Sequence, residues 1–292
     1  MSNRRRIMWN GTVRALPLKE QIRATVLAGC EALTVTPSDY VKWLSTSVST
    51  RDIRSMAADA GIRITHLDPF VRWVENWKPD IPEKDFPTDP IAFDADDFFR
   101  MAAALEVESF TAWAGFPAGR YELPQLIDAF GALCERAAVE GLRCDLEFIP
   151  VFGIPDLQTG WSIVDGVGAS NSGIVLDMWH YMRGGRDDAL LASIPGNRIT
   201  AVQLCDATAE VPAGMSLAED GLNNRRAPGD GDFPIGEIVE VLRRSGGLND
   251  VGLEIFSPEF DAMSADAIGQ VCRNALDDAL GTDAAVTAME HR

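Results

Sequence analysis

Four apolar runs in the second half of the chain, 142–148, 173–177, 199–204 and 251–256, are each 5 to 7 residues long, rich in aliphatics and bounded by Gly, Pro, Asn or Asp. Runs so short suit strands better than helices, and their near-continuous apolar character fits parallel strands buried on both faces. Each run also carries an oxygen-bearing side chain near its end: Glu147, Asp177, Gln203 and Glu254. One such group is an ordinary strand terminus. Four on successive strands meet where a parallel sheet closes into a barrel, because all the carboxyl ends share one mouth.

The same punctuation runs along the whole chain. Strands are expected at Arg6–Trp9, Ala32–Thr36, Ile62–Leu67 and Ser109–Trp113, ahead of the four runs in the second half. Helical patterns are expected from Pro17 to Gly29, from Pro37 as one amphipathic stretch to Gly61, and from about Ala92 to Leu105. Two more run from Leu123 to Glu140 and from Ser264 to Leu280. No composition shift marks a linker, so the 292 residues are expected to form a single (β/α)8 TIM barrel, residues 1–292. The stretch 68–90 holds five prolines and two tryptophans without a period, which predicts a long ordered lid loop. A second loop, 206–233, comes after the Gln203 strand and is expected to meet substrate.

Composition narrows the function. With 46% hydrophobic and 24% charged residues, the chain can bury a sizeable core. A formal charge of -18, from 26 basic against 44 acidic residues, repels a polyanionic backbone, so nucleic acid is not expected as a partner. Five cysteines with no C-x-x-C spacing argue against a disulfide framework or a structural zinc site, and a reducing cytoplasm is the simplest setting. Arg4, Arg5 and Arg6 look like the start of a signal sequence, but Trp9, Asn10 and Arg14 interrupt the apolar stretch that such a signal needs, and no run approaches the ~18 apolar residues of a membrane span. No membrane is expected as a partner. Homo-oligomerisation is left open.

Glu147, Asp177, Gln203 and Glu254 together offer hard oxygen donors, the set preferred by Mg²⁺ or Mn²⁺, with Co²⁺ or Zn²⁺ less favoured. Strand alternation puts Gln203 on one face with Ala201 and Cys205, and Val202 and Leu204 on the other. Any one of the four could be a satisfied polar strand end, but a buried acid without a partner is rare. His180, three residues past Asp177, is placed to lean over the mouth as a catalytic or substrate-binding imidazole. His66 and Trp113, near the ends of their strands, are expected to line the same mouth. In the loop 224–233, Arg225 and Arg226 are positioned to clamp a substrate, the alternative being an ordinary surface loop with solvated arginines. No Walker or dinucleotide fingerprint is present.

These residues resemble the xylose-isomerase-like TIM-barrel superfamily of sugar phosphate isomerases and epimerases. The resemblance rests on Leu146-Glu147, Val175-Leu176-Asp177-Met178-Trp179-His180, Val202-Gln203-Leu204-Cys205-Asp206-Ala207, Arg226-Ala227-Pro228-Gly229-Asp230-Gly231-Asp232-Phe233 and Gly252-Leu253-Glu254-Ile255-Phe256. It implies one divalent ion held by Glu147, Asp177, Gln203 and Glu254, with Gln203 standing where the family has histidine. It implies a small polyhydroxylated keto substrate, an enediolate intermediate, and Glu147 and Glu254 exchanging a proton from opposite faces, with His180 beside them. Gln203 and Asp206-Ala207 are closer to bacterial 3-dehydroshikimate dehydratases, which makes a dehydratase the alternative to an isomerase or epimerase. A metal-free assembly subunit is the alternative outside catalysis. A DNA-acting relative such as endonuclease IV is disfavoured by three histidines and the charge of -18.

Overall fold

The computed structural model describes residues 4–78 and 92–281. Eight strands, β1 (Arg5–Met8), β2 (Ala32–Val35), β3 (Arg63–Phe70), β4 (Ser109–Trp113), β5 (Arg143–Glu147), β6 (Ser172–Asp177), β7 (Ile199–Leu204) and β8 (Asp250–Leu253), pair in sequence order and close on themselves. Every pairing is parallel, including β1 with β8. Helices occupy the connections, among them Leu18–Leu27, Ala95–Leu105, Leu123–Val139, Leu157–Val167, Ile235–Ser245 and Ala265–Leu280.

Alternation along the strands separates an outer apolar compartment from an inner one. Cys144 and Leu146 of β5, Ile174 and Leu176 of β6, Val202 and Leu204 of β7, and Val251 and Leu253 of β8 join the large outer core against the helices. Ile7, Trp9, Ala32, Val175 and Ala201 form a separate small cluster inside the barrel. That parity turns Glu147, Asp177 and Gln203 inward. Gly252 completes the pattern: a Cβ there would lie 1.6 Å from the Ile7 carbonyl oxygen, so only glycine lets β8 close onto β1 at this height.

Two expectations about local structure are corrected. The stretch from Pro37 to Gly61 is two helices, Pro37–Ser45 and Thr50–Asp59. Ser47, at φ 65°, turns the chain between them, and a reciprocal capping box between Ser49 and Asp52 starts the second. β3 extends to Phe70, so Asp68 and Pro69 belong to a strand rather than to the start of a lid. Residues 79–90 of the expected lid lie outside the described residues.

The amino-terminal end of the barrel is lined by charge. Arg5 donates to both oxygens of Asp250 at 3.0 and 2.8 Å, and Arg143 donates to the fully buried Asp145 at 2.8 and 3.0 Å. His66 belongs here. Its Nε2 lies 3.4 Å from Arg143 Nη2 and 3.6 Å from Asp250 Oδ2, with Nδ1 2.9 Å from the Thr65 hydroxyl. The expectation that His66 lines the mouth is therefore wrong. Because β3 continues past it, His66 is mid-strand, and the residue that reaches the mouth is Asp68, two positions on.

Candidate metal centre and active-site cavity

At the carboxyl ends of the strands opens a cavity of about 910 Å³. Its polar groups include Asp68, Glu147, His180, Arg225 and Glu254, and its apolar wall includes Trp113, Phe152, Trp179 and Phe256. Trp113 stacks on Phe152 with centroids 4.7 Å apart at 17°, which places the expected Trp113 on the wall as a flat surface for a ring or carbon face.

Glu147 ends β5 and Asp177 ends β6, and Asp177 is in register with Gln203 of β7. Asp177 caps the short helix Met178–Arg183, accepting the backbone N–H of His180 on Oδ1 at 2.8 Å. This cap swings His180 back over the site, with Nε2 3.4 Å from Glu147 Oε1 and Nδ1 4.0 Å from Asp177 Oδ1. One ligand atom from each of Glu147, Asp177 and His180 lies within 4.8 Å of the others, close enough for one ion to bridge.

Arg225 enters the same cluster. It is buried, donates from Nη1 to Asp177 Oδ2 at 2.6 Å, and its Nη1 is 3.6 Å from Glu254 Oε2. Nε donates to the Gly221 carbonyl at 2.8 Å, and the guanidinium lies over the rings of Phe256 at 4.8 Å and Trp179 at 5.6 Å. The support behind it is also tied down: Asp220 accepts from Trp179 Nε1 at 2.8 Å and from Arg183 Nε at 2.9 Å. Arg226 does not share this placement. It is exposed, pairs its backbone with Asp206 in an antiparallel bridge, and donates from Nη1 to the Asp230 carbonyl at 3.1 Å. Its expected substrate contact is withdrawn. Asp206 instead organises the glycine turn, accepting the backbone N–H groups of Ala207, Gly229 and Phe233 at 2.8, 3.0 and 2.9 Å.

Burial sets the protonation pattern. Burial, then the charge of Asp177, pushes the Glu147 carboxyl up to about 8. Glu254 is driven well above the usual carboxylate range by burial, only partly relieved by Arg225. Burial opposes ionisation of Asp177 too, but the Arg225 guanidinium and the backbone N–H of His180 outweigh it and hold that carboxyl low. Burial lowers His180 to about 4, so its imidazole is neutral near pH 7. Asp68, missed at the sequence level, is raised well above its ordinary range by burial and by Glu147.

The donors fit a divalent cation. Gln203 is fully buried, yet neither its carbonyl oxygen nor its amide nitrogen has a hydrogen-bond partner, and His180 Nδ1 is likewise unpartnered. Buried amides are almost always satisfied, so an orphaned one beside three buried acids marks a place for a ligand. The raised Glu147 predicts proton release on binding. Mn²⁺ affinity is expected to rise about tenfold per pH unit up to about 8 and then level off, measured by isothermal titration at several pH values. A flat profile from pH 6 to 9 would contradict this. The same shift acts oppositely on the metal-free fold: stability from Glu147 is full below its unfolded value of 4.5 and is lost as pH rises through about 8.

Comparison with known proteins agrees with this architecture. A family model described as a xylose isomerase-like TIM barrel matches residues 22–275. The chain belongs to this xylose isomerase-like family. Within the curated relatives, a 3-dehydroshikimate dehydratase of Pseudomonas aeruginosa is 28% identical over 248 residues, covering 84% of this chain. The chain spans only 37% of that dehydratase's length. An inosose isomerase of Halalkalibacterium halodurans is 29% identical over 142 residues, 48% of this chain and 49% of the relative. Of the solved structures, IolI protein with a binding zinc atom superposes with a TM-score of 0.80 at 19% identity, covering 94% of this chain and 98% of that one. At that identity it speaks to the fold alone.

Proposed function

We propose that this chain is a divalent-metal-dependent isomerase or epimerase that removes and returns a proton next to the ketone of a small polyhydroxylated keto substrate. The observation that carries this reading is the orphaned Gln203 amide in register with Asp177, with buried Glu147 and Glu254 nearby and Arg225 beside the acids. Glu147, Asp177, Gln203 and Glu254 would hold Mn²⁺ or Mg²⁺, with His180 adjacent; Co²⁺ or Zn²⁺, the latter named for the IolI structure, would suit fewer of these oxygen donors. The cation, when bound, supplies Lewis-acid polarisation of the ketone oxygen.

The protein's own groups do the remainder. Glu147 and Glu254 both reach the cavity from strand ends three strands apart, so one can take the proton from carbon and the other can return it on the opposite face. His180, neutral, steadies a substrate oxygen through a ring nitrogen. The Trp113 and Phe152 stack gives the carbon skeleton an apolar face to lie on and limits water there.

A second reading is favoured by one observation: the similarity to the dehydratase spans 84% of this chain, that to the inosose isomerase 48%. In a dehydratase the same proton removal is followed by loss of a β-hydroxyl. Product analysis with added Mn²⁺ separates the two. Deuterium uptake from D₂O into an inosose without loss of water supports isomerisation, whereas a new ultraviolet-absorbing product from 3-dehydroshikimate supports dehydration. A Mn²⁺-loaded chain inert towards both would support neither, and a chain that binds no ion would favour a non-catalytic assembly role.

A further inference from the structure

Asp68 is the buried acid of the cavity for which the metal reading has no task. It stands at the end of β3, opposite the arc of β5 to β8 that carries the four expected ligands, and is only 9% exposed while still lining the cavity. Among the described residues no ion pair joins it to a cation. Its electrostatic neighbours are Glu147, Asp177 and Glu254, all acids, and the Arg225 guanidinium is committed to Asp177 and Glu254. The Thr111 hydroxyl of β4, itself buried, lies beside it. A carboxyl buried among like charges is costly to keep for structure alone. An aliphatic side chain would fill the same place at lower cost.

The cost is offset if something in the cavity donates to it. The cavity offers a phosphate or carboxylate group no uncommitted cation on this side, since Arg225 is held by Asp177 and Glu254. On a keto polyol, the donor within reach is a hydroxyl. We propose that Asp68 is a substrate-contacting residue that accepts a hydrogen bond from a neutral hydroxyl of the keto substrate, fixing the sugar-like ring against the Trp113 and Phe152 wall with its reacting carbon towards Glu147. This inference rests on the proposed metal-dependent keto-polyol chemistry, and it makes the acceptable substrate one whose reacting end is uncharged.

The test uses the full chain loaded with Mn²⁺, with an inosose and 3-dehydroshikimate as probes. Asp68→Asn, which keeps one acceptor oxygen and the side-chain shape, should lower kcat/KM about 10-fold, and Asp68→Ala about 100-fold, the scale of leaving a buried hydroxyl without its hydrogen-bond partner. Mn²⁺ affinity, read by electron paramagnetic resonance, should stay within about tenfold of the unsubstituted chain, where Asp177→Asn loses far more. Turnover in Asp68→Ala equal to that of the unsubstituted chain overturns the inference while leaving the metal chemistry intact. Loss of Mn²⁺ binding as complete as in Asp177→Asn also overturns it, because Asp68 is then a ligand. An unsubstituted chain that binds Mn²⁺ but turns over neither probe overturns the functional reading and this inference with it. Should Asp68→Ala not fold, the near-isosteric Asn variant decides.

Discussion

Glu147→Gln and Glu254→Gln should each lower turnover about a thousandfold while the folded chain survives, the scale of losing a positioned general base or acid. Both carboxyls line the cavity and both are raised by burial, so each is held in the site against its own preference for water. The amide keeps the size and removes the ionisable group. Since a raised carboxyl destabilises the metal-free fold as it ionises, Glu147→Gln should melt no lower than the unsubstituted chain above pH 8. Loss of turnover without loss of stability distinguishes a working group from a structural one. Steady-state kinetics and thermal denaturation of the same samples check both halves, and retained turnover in either variant would remove that glutamate from the mechanism.

Arg225→Met should destabilise the metal-free chain by about 3–5 kcal/mol, the scale for breaking a buried ion pair and leaving a charge uncompensated. The guanidinium is buried, 2.6 Å from Asp177 and 3.6 Å from Glu254, and it is the charge that keeps Asp177 ionised. Methionine preserves much of the contact with Trp179 and Phe256 and removes only the charge and its hydrogen bonds. Because a divalent ion supplies positive charge to the same carboxylates, saturating Mn²⁺ should recover much of the lost stability, more than it adds to the unsubstituted chain. Chemical denaturation with and without Mn²⁺ measures both. Equal stability of the two metal-free chains would show that Arg225 does not neutralise the site.

The barrel was legible because each strand is a short apolar run bounded by turn residues, and the outer core is made of the alternate positions that periodicity assigns to it. Glu147, Asp177 and Gln203 were legible for the same reason: parity turns them inward and position puts them at the strand ends. The errors came from places where the period or its limit was misjudged. The expected strand ends at Leu67, with the proline-rich stretch from 68 as a lid, which left His66 at the mouth and Asp68 in a loop. With the strand continuing to Phe70, His66 lies four residues short of its end, beside Arg143 and Asp250. Arg225 and Arg226 are adjacent, yet the first is buried in the site and the second, bridged to Asp206, is exposed. That bridge joins segments far apart along the chain, beyond the reach of a local pattern.

Anomalous diffraction from crystals equilibrated with Mn²⁺ tests most directly whether one divalent ion sits among Glu147, Asp177, Gln203 and Glu254. A single strong peak within bonding distance of the Glu147 and Asp177 carboxylates and the Gln203 carbonyl oxygen is the predicted result. A site that stays empty at saturating Mn²⁺, with Gln203 satisfied by water and Arg225 unmoved against Asp177, would contradict it.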